Sequence, residues 1–571
     1  MAGPSEPRGG AADSTLRLLV AAVVAGLLAA YAALGFRLAA DRIALVLFGA
    51  GEEELIAGAV SAWRLWLVPT LGGLVLGLLA WRLPGPQPQG VAEVMLAAAR
   101  DRGRMALAPG IAAAFLSASA IGVGASVGRE GPVVHLGATL AAALARRLRL
   151  SARAARVLLA AGAAAAIAAA FDAPFAGVFF ALEVVLGSYG LAAFSPVVMG
   201  ALSGTLVNRI HDLDPPAFLL PPAIPSTPLE LPAFLLLAVV SAGAAMTLLW
   251  GVRRLRDLHR RLGAPPALQP ALAGAAVGAL ALAYPEVLGV GYEVTSRALE
   301  GGFTLSLYLQ LAAAKLAATV LCLASRFGGG VVSPSLAIGA LVGGGFGVFA
   351  AELLPGLASG PRVYAVLGMG AVAAAVLGAP ISTATLIFEM TGSTALAFAL
   401  MAVAAIATLI TQKAYGHSFF TEQLACRGID ILRERSRAPL RALRVADLMR
   451  RDCPCVGAER PLGELAGAPA RPVYVVDRSG RLVGVLHPEL LWRARAGGLP
   501  AESRAAQVMA PCPARLVADA DLADALARFT SQGALRLPVV RGPEDLQLVG
   551  ELHLGDLIRA LEEDVMRAHA G

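Results

Sequence analysis

A single carboxylate lies between glycines in the segment GREGP (128–132) of a chain that is otherwise strongly apolar. A second segment, GVVSP (330–334), has the same spacing of glycine and proline but no acid. Proline suits the first turn of a helix, and glycine lets the backbone approach a ligand closely. Free N–H groups at a helix start, with the positive end of the helix dipole, can bind an anion without a fixed cation. The two segments therefore predict two helix starts that form an anion site, with Glu130 beside it.

Two interpretations of Glu130 are open. In an exposed loop beside Arg129 it would have no special role. Within a membrane, however, an ionisable side chain usually serves a function. The ionised carboxylate could itself occupy the anion site, and the protonated form could swing away, so Glu130 would be a gate and could also carry protons.

The composition requires most of the chain to face lipid or other buried segments. Of the 571 residues, 57% are hydrophobic and only 15% are charged, whereas about a quarter of the residues of a soluble domain are charged. Arginine-rich clusters at 253–261 and 427–444 indicate cytosolic flanks rather than nucleic-acid binding. Charge-free runs long enough to cross a bilayer recur, among them 18–36, 231–252, 262–285, 327–351, 363–388 and 390–412.

The apolar part contains an internal repeat. FDAPFAGVFFALE (171–183) and LGAPISTATLIFE (377–389) both have Ala-Pro followed nine residues later by glutamate. Their prolines are 206 residues apart, and the prolines of the two predicted helix starts are 202 residues apart. Duplicated halves with apolar segments interrupted by glycine and proline are typical of transporters whose site lies between the repeats. The repeat-related Glu183 and Glu389 are predicted to cap or pair inside the protein.

From about residue 441 the pattern changes to short strands alternating with short helices. PVYVVDRSGRLVGVLH (472–487) and PVVRGPEDLQLVGELH (538–553) are 66 residues apart, and helix-like turns at 444–449 and 504–509 precede them. Two copies of such a unit predict one pseudo-symmetric module. The region 441–571 resembles a pair of CBS domains, at about 441–498 and 499–565.

The motifs GREGP, AAAFDAPFAGVFFALE, GVVSPSL and GAPISTATLIFEMTG together resemble the CLC family of chloride channels and proton-coupled chloride transporters. The resemblance covers most of residues 15–425. It implies an all-α polytopic membrane domain of two inverted repeats with broken helices at 16–425, which forms a homodimer in the lipid bilayer. It also implies a cytosolic tail at 1–15, a basic linker at 426–440 and a soluble α/β CBS pair in the cytosol. The expected location is the inner membrane of a prokaryotic cell.

The resemblance assigns the gate to Glu130 and makes chloride the expected ion. In the expected anion site this chain departs from the family pattern at three positions. Val332 replaces the usual phenylalanine, Gln89 stands where a serine hydroxyl would contact the anion, and Phe420 stands at the position of the pore tyrosine. The Gln89 amide can donate a hydrogen bond but phenylalanine cannot, so anion selectivity is expected to differ. The expected anion contacts are Gln89, Gly90, Arg129, Gly131, Val331, Val332, Ser333 and Phe420.

The segment around Glu183 bears on proton coupling. Proton-coupled members of the family commonly have two consecutive glutamates here, and the second transfers protons internally; this chain has Glu183 followed by Val184. The loss favours a passive channel slightly over a chloride/proton antiporter. The remote alternative is a CBS-regulated magnesium transporter, but a magnesium path requires several carboxylates with retained waters.

No catalytic motif points to an enzyme, and no metal or required cofactor is expected. CBS pairs often bind adenine nucleotides through a late aspartate, and Asp556 stands at that place. The hydroxyl residue expected three positions earlier is His553, and the first copy has Leu490 in place of the aspartate. A degenerate nucleotide site and a purely structural, dimerising tail both stay open.

Overall fold

Apolar helices form the first of two units in the chain. The computed structural model describes residues 15–51, 59–82, 90–211, 228–355, 357–465, 471–512, 514–560 and 562. The units are Met1–Arg435 and Ser436–Gly571. Helices of the first unit, in chain order, are α1 (Thr15–Phe48), α2 (Ala62–Arg82), α3 (Val91–Ala99), α4 (Leu107–Gly122), α5 (Glu130–Arg147), α6 (Ala152–Phe171), α7 (Pro174–Phe180), α8 (Leu191–Ile210), α9 (Leu231–Arg261), α10 (Gln269–Ala281), α11 (Tyr292–Glu300), α12 (Leu305–Ala324), α13 (Val332–Leu353), α14 (Pro361–Leu377), α15 (Pro380–Thr391), α16 (Thr394–Ala414) and α17 (Phe419–Ala425).

Among the described residues, eight helical segments are long and apolar enough to cross a membrane. Four of them, α2, α6, α8 and α12, lie outside the six charge-free runs named above. In α12 the run is interrupted by Lys315, and in α6 by Arg153 and Arg156 near its start. The eight segments are α1, α2, α6, α8, α9, α12, α13 and Thr394–Ala425.

Two of the predicted spans are wrong as continuous helices. The run 262–285 contains only α10, which has 13 residues and is too short to span a bilayer. The run 363–388 is broken, because α14 ends at Leu377 and Pro380 begins α15. Gly378 between them has a φ of +68°, a left-handed conformation that favours glycine. Neither break introduces a charge, so composition alone cannot reveal it.

Side-chain caps begin several of the helices. Ser151, Thr304 and Ser393 each accept a hydrogen bond from a backbone N–H in the first turn of α6, α12 and α16. Ser418 and Thr421 form a capping box at the start of α17. These hydroxyls satisfy N–H groups that have no partner within the helix.

Matched glycine pairs pack the helices of both repeats. A Cβ on Gly137 of α5 would lie 2.7 Å from the Gly162 carbonyl oxygen of α6. In the second repeat, a Cβ on Gly368 of α14 would lie 2.5 Å from the Gly339 carbonyl oxygen of α13. Small residues let membrane helices approach closely. The two pairs are related by the offsets of 202 and 206 residues that the proline motifs show, so the predicted duplication is confirmed at the level of helix packing.

The second unit contains two three-stranded sheets with the same topology. In each sheet the first strand is parallel to the second, and the second is antiparallel to the third. The predicted two-copy α/β module is therefore confirmed. Helix α18 (Ile431–Ala442) covers residues 431–440 of the predicted basic linker and contains the boundary between the two units at Arg435 and Ser436. The strands are β1 (Cys455–Gly457), β2 (Val473–Val476), β3 (Leu482–Leu486), β4 (Leu516–Val517), β5 (Arg536–Val540) and β6 (Leu548–His553), and the other helices are α19 (Val445–Leu448), α20 (Pro488–Ala496) and α21 (Leu522–Gln532).

Candidate functional site

The two predicted helix starts lie against each other. The backbone N–H of Gly128 donates to the Gly330 carbonyl at 2.7 Å, and the N–H of Gly330 donates to the Gly128 carbonyl at 2.7 Å. A Cβ on Gly131 would lie 2.9 Å from the Gly330 Cα, so the approach requires glycine. This reciprocal pair brings the first turns of α5 and α13 together between the two repeats.

Glu130 is buried at this junction. Its exposed fraction is 0%, so the exposed-loop interpretation is wrong. The carboxylate accepts hydrogen bonds from the Ser333 backbone N–H at 3.3 Å and from the Ser333 hydroxyl. It also accepts one from the Tyr292 hydroxyl at 2.7 Å. A carboxyl group therefore lies at the N-terminus of α13, where free N–H groups and the helix dipole favour an anion.

Arg129 flanks the carboxylate. Its Nε lies 4.0 Å from Glu130 Oε1, and its guanidinium carbon lies 4.5 Å from the centre of the Tyr292 ring. Its terminal nitrogen donates to the Ala170 carbonyl at 3.4 Å. The aromatic face and the carbonyl hold the cation at the side of the site. The closest donors to Glu130 are therefore the uncharged groups of Ser333 and Tyr292.

The sequence pattern does not indicate Tyr292. It is the first residue of α11 and follows Gly291, whose φ is +89°. The turn before it is held by Lys315, a buried residue whose ammonium donates to the Val287 and Gly289 carbonyls at 3.1 Å. A lysine in the middle of an apolar segment needs such partners. Lys315 is thus the signal in the sequence that could have drawn attention to this turn.

The other expected anion contacts fall into two groups. Val331 and Val332 are buried at the start of α13 with Ser333. Gly90 precedes α3, and the buried Phe420 lies on α17. Helices α3 and α17 pack together and are joined by the ion pair between Glu93 and Arg427. Gln89 lies outside the described residues.

Each of the two repeat-related glutamates caps the start of a helix in the other repeat. Glu183 accepts hydrogen bonds from the N–H groups of Ile381 and Ser382 at 3.2 and 2.8 Å. Glu389 accepts from those of Phe175 and Ala176 at 2.9 and 2.7 Å. Each carboxylate therefore satisfies the start of a helix that follows Ala-Pro in the other repeat. The predicted capping role is confirmed.

Val184 lies in a π-helical turn, Ala181–Leu186, that continues α7. Its side chain is buried and has no titratable group. Its carbonyl accepts a hydrogen bond from the Arg435 guanidinium. The Nε of Arg435 is buried without a hydrogen-bond partner among the described residues. The position at which the family resemblance implies a second glutamate is therefore occupied by a valine whose carbonyl binds a fixed cation.

In the second unit, Asp556 is already paired. Its two oxygens accept hydrogen bonds from the Nε and a terminal nitrogen of Arg450, at 2.8 and 2.9 Å. These hydrogen bonds hold the pKa of the Asp556 carboxyl below its ordinary value. The Nε2 of His553 lies 2.8 Å from Glu551 Oε1. Both residues of the predicted nucleotide position therefore have protein partners.

Comparison with known proteins identifies the family. The model of the voltage gated chloride channel family matches residues 72–412, and the CBS domain model matches residues 505–563. A ClcB-like chloride channel protein of Ralstonia nicotianae is 34% identical over 424 residues, which are 73% of this chain and 98% of that protein. The H(+)/Cl(-) exchange transporter ClcA of Salmonella agona is 32% identical over 312 residues, which are 53% of this chain and 66% of that protein.

Solved structures show the same fold. A slow cyanobacterial Cl-/H+ antiporter superimposes with a TM-score of 0.64 at 22% identity, over 72% of this chain and 98% of that one. A eukaryotic CLC transporter superimposes with a TM-score of 0.60 at 20% identity, over 95% of this chain and 98% of that one. The chain therefore belongs to the CLC family of voltage gated chloride channel proteins and carries a C-terminal CBS domain.

Proposed function

We propose that this protein conducts chloride passively across a membrane and that Glu130 gates the pathway. The observation that supports the gate is the hydrogen bonding of the buried Glu130 carboxylate to Ser333 at the start of α13. When ionised, the carboxylate takes the place of the anion. Protonation removes its charge and weakens its hold on these donors, so chloride can use them instead.

Passive conduction is supported by the region around Val184. A proton that crosses an apolar interior without a titratable group or a water chain faces a high energetic cost. The valine side chain offers no such group, and the Arg435 guanidinium on its carbonyl adds a positive charge that repels protons. Glu130 would then receive its proton only from the side of the membrane opposite to Val184.

Chloride/proton exchange is the second candidate. It is supported by the relative named as an H(+)/Cl(-) exchange transporter and by the solved antiporter of similar fold. A cation pathway has less support, because the donors at the junction are N–H and O–H groups, which bind anions.

Reconstituted vesicles distinguish these candidates. The purified full-length chain is placed in liposomes, a chloride gradient is imposed, and external pH is recorded with and without a protonophore. We expect chloride to move, potassium to stay behind, and no sustained proton movement in the opposite direction. Uphill proton pumping at a fixed ratio to chloride would replace the channel with an exchanger. Cation flux without anion flux would refute the anion pathway.

We also propose that the protein is a homodimer in a prokaryotic inner membrane with its second unit in the cytosol. The arginines at the end of α9 support this sidedness by the positive-inside rule. The exposed Cys455 of the second unit provides a probe. In intact cells a membrane-impermeant thiol reagent should leave Cys455 unmodified, and it should react after the cells are broken.

A further inference from the structure

A cleft of about 540 Å³ opens in the first unit beside the junction of the first turns of α5 and α13. Gly329 and Phe419 line it, and they immediately precede Gly330 and Phe420. Among the described lining residues, Asp257 is the only acid, and His259 is a further basic group. The cleft, called the arginine cleft below, is lined by the arginines Arg253, Arg256, Arg260, Arg326 and Arg427.

Three of these arginines are paired with acids. Arg253 lies 3.5 Å from Glu422, Arg260 pairs with Asp257, and Arg427 pairs with Glu93. Their charges are therefore largely compensated within the protein.

The other two cations are not compensated in this way. The half-buried Arg256 forms no hydrogen bond and no ion pair within the part of the chain that the structure describes, and the acid that acts on it, Glu422, is already the partner of Arg253. The exposed Arg326 likewise has no such contact with a described residue. The Nδ1 of His259 is buried without a partner among these residues. The cleft thus collects donors and positive charge that the described protein groups leave unused.

We propose that the arginine cleft binds a phosphate-bearing anion of about nucleotide size and that this ligand closes the mouth of the chloride pathway. Guanidinium groups form paired hydrogen bonds with phosphate oxygens. The volume of the cleft also falls within the range of small-molecule sites. A chloride ion carries a single negative charge, so it would balance less of the positive charge of the cleft than a polyvalent phosphate would.

Two kinds of ligand carry such a phosphate group, a soluble organic phosphate and the headgroup of an anionic phospholipid. Binding is a property of the cleft alone. The closing of the pathway rests on the proposed chloride conduction, because Gly329 joins the cleft to the helix start that contains Ser333.

Binding is tested by calorimetric titration of inorganic tripolyphosphate into the purified full-length chain in a neutral detergent. We expect binding that weakens as salt is added, since screening reduces charge attraction. Arg256→Gln and Arg326→Gln should each weaken it by roughly tenfold, as expected for the loss of a charge-assisted contact. Arg326 is exposed, so its variant tests the site even if Arg256→Gln fails to fold.

Arg254→Gln is the matched control. Arg254 lies on α9, as Arg256 does, and its substitution removes the same charge. Its guanidinium lies 5.1 Å from the centre of the Trp250 ring, and it is not a lining residue of the cleft. We expect it to bind tripolyphosphate as the wild type does. Absence of binding to the wild type would overturn the proposal, and so would an equal loss in Arg254→Gln.

Transport is measured in vesicles that contain tripolyphosphate on both sides, so that protein orientation does not matter. Chloride flux should fall in the wild type and be retained in the Arg256→Gln/Arg326→Gln double variant. Unchanged flux despite binding would refute the closing of the pathway. Binding by a protein that moves no chloride under any condition would instead refute the proposed function and leave the site standing.

The two ligand sources are separated by the lipid. Vesicles of phosphatidylcholine alone are compared with vesicles in which about a quarter of the lipid is phosphatidylglycerol, a fraction that gives the surface a negative potential. Reduced flux in the second set, relieved by the double variant, identifies the headgroup as the ligand. Equal flux in both sets, with inhibition by tripolyphosphate, identifies a soluble phosphate.

Discussion

At the residue scale, the buried Glu130 carboxylate is held mainly by uncharged donors. Ser333 and Tyr292 provide its hydrogen bonds, whereas the Arg129 guanidinium lies 4.0 Å away and is engaged by the Tyr292 ring. A carboxylate bound by neutral donors can be exchanged for another anion without leaving a fixed ion pair unpaired. This arrangement suits a residue that alternates with chloride.

Glu130→Gln tests the gate directly. Glutamine imitates the protonated carboxyl, so it should leave the pathway open and flatten the dependence of chloride flux on pH. The measurement is chloride efflux from vesicles between acidic and alkaline pH. Persistence of the wild-type pH dependence in this variant would show that Glu130 is not the titrating gate.

In the proposed gating mechanism, Tyr292→Phe removes one donor from the ionised, closed form of Glu130. The closed form then becomes less stable, so transport should reach half its maximum at a higher pH. One hydrogen bond to a charged group contributes about 1.5 kcal/mol, which corresponds to a shift of about one pH unit. Among the described residues, the titratable and charged groups in contact with Glu130 are Tyr292 and Arg129, and Arg129 is retained in this variant.

Tyr364→Phe is the matched control for this shift. The Tyr364 hydroxyl donates to Glu230 Oε1 at 2.9 Å, so the variant also removes a buried phenol from a carboxylate. It should lower thermal stability without moving the pH of half-maximal flux. In a Glu130→Gln background, Tyr292→Phe should cause no pH shift, and a shift there would assign the effect to another group.

The sequence could predict one side of this site but not the other. Glu130 and Ser333 follow from glycine and proline at helix starts, which are local patterns. Tyr292 is 162 residues from Glu130 in the chain, and its position depends on a turn held by Lys315. Such a contact is set by tertiary packing, so no local pattern encodes it.

At the element scale, the duplication was predictable from its prolines but not from its glycines. Proline at a helix start is sparse enough for two matching offsets to stand out. The chain contains 63 glycines, so the pairs Gly137–Gly162 and Gly339–Gly368 could not be recognised among them. The break before Pro380 was not predicted either, because the contact that stabilises it comes from a distant part of the chain. Its free N–H groups are satisfied by Glu183, a side chain from the other repeat.

The reciprocal caps predict equal effects in the two repeats. Glu183→Gln and Glu389→Gln each remove a negative charge from a helix start, which should lower stability by about 1 kcal/mol. Both variants should therefore melt at a slightly lower temperature in detergent, by similar amounts, and conduct chloride as the wild type does. The measurement pairs thermal unfolding with vesicle flux. A change in chloride or proton flux in Glu183→Gln alone would assign that residue a transport role.

At the scale of the whole molecule, the chain combines a membrane unit with an α/β unit of two similar copies. The two copies contact each other through Glu551, which accepts a hydrogen bond from Tyr474 at 3.3 Å. The CBS family model matches the second copy, although both sheets have the same topology. Composition and internal repeats suffice to predict this division. They do not show that Arg450 reaches Asp556, because the two residues are 106 positions apart.

That ion pair leads to a prediction about nucleotide binding. The lowered pKa of Asp556 means that its stabilisation is present above the ordinary value of about 4 and is lost as the pH falls through the lowered value. At neutral pH the carboxylate is therefore ionised and both its oxygens are engaged by Arg450, with which a ribose would have to compete. We expect millimolar ATP to leave the melting temperature of the α/β unit unchanged, since only a ligand of the folded form would raise it.

The experiment uses the full-length chain in the Arg256→Gln/Arg326→Gln background, so that binding of phosphate in the arginine cleft does not contribute. Because a chain of two units need not unfold in one step, calorimetry must follow each transition separately. Arg450→Gln releases Asp556, and ATP should stabilise this variant if the nucleotide position is intact but blocked. A rise in melting temperature without that substitution, abolished by Asp556→Asn, would show instead that ATP displaces Arg450 and that the α/β unit binds the nucleotide.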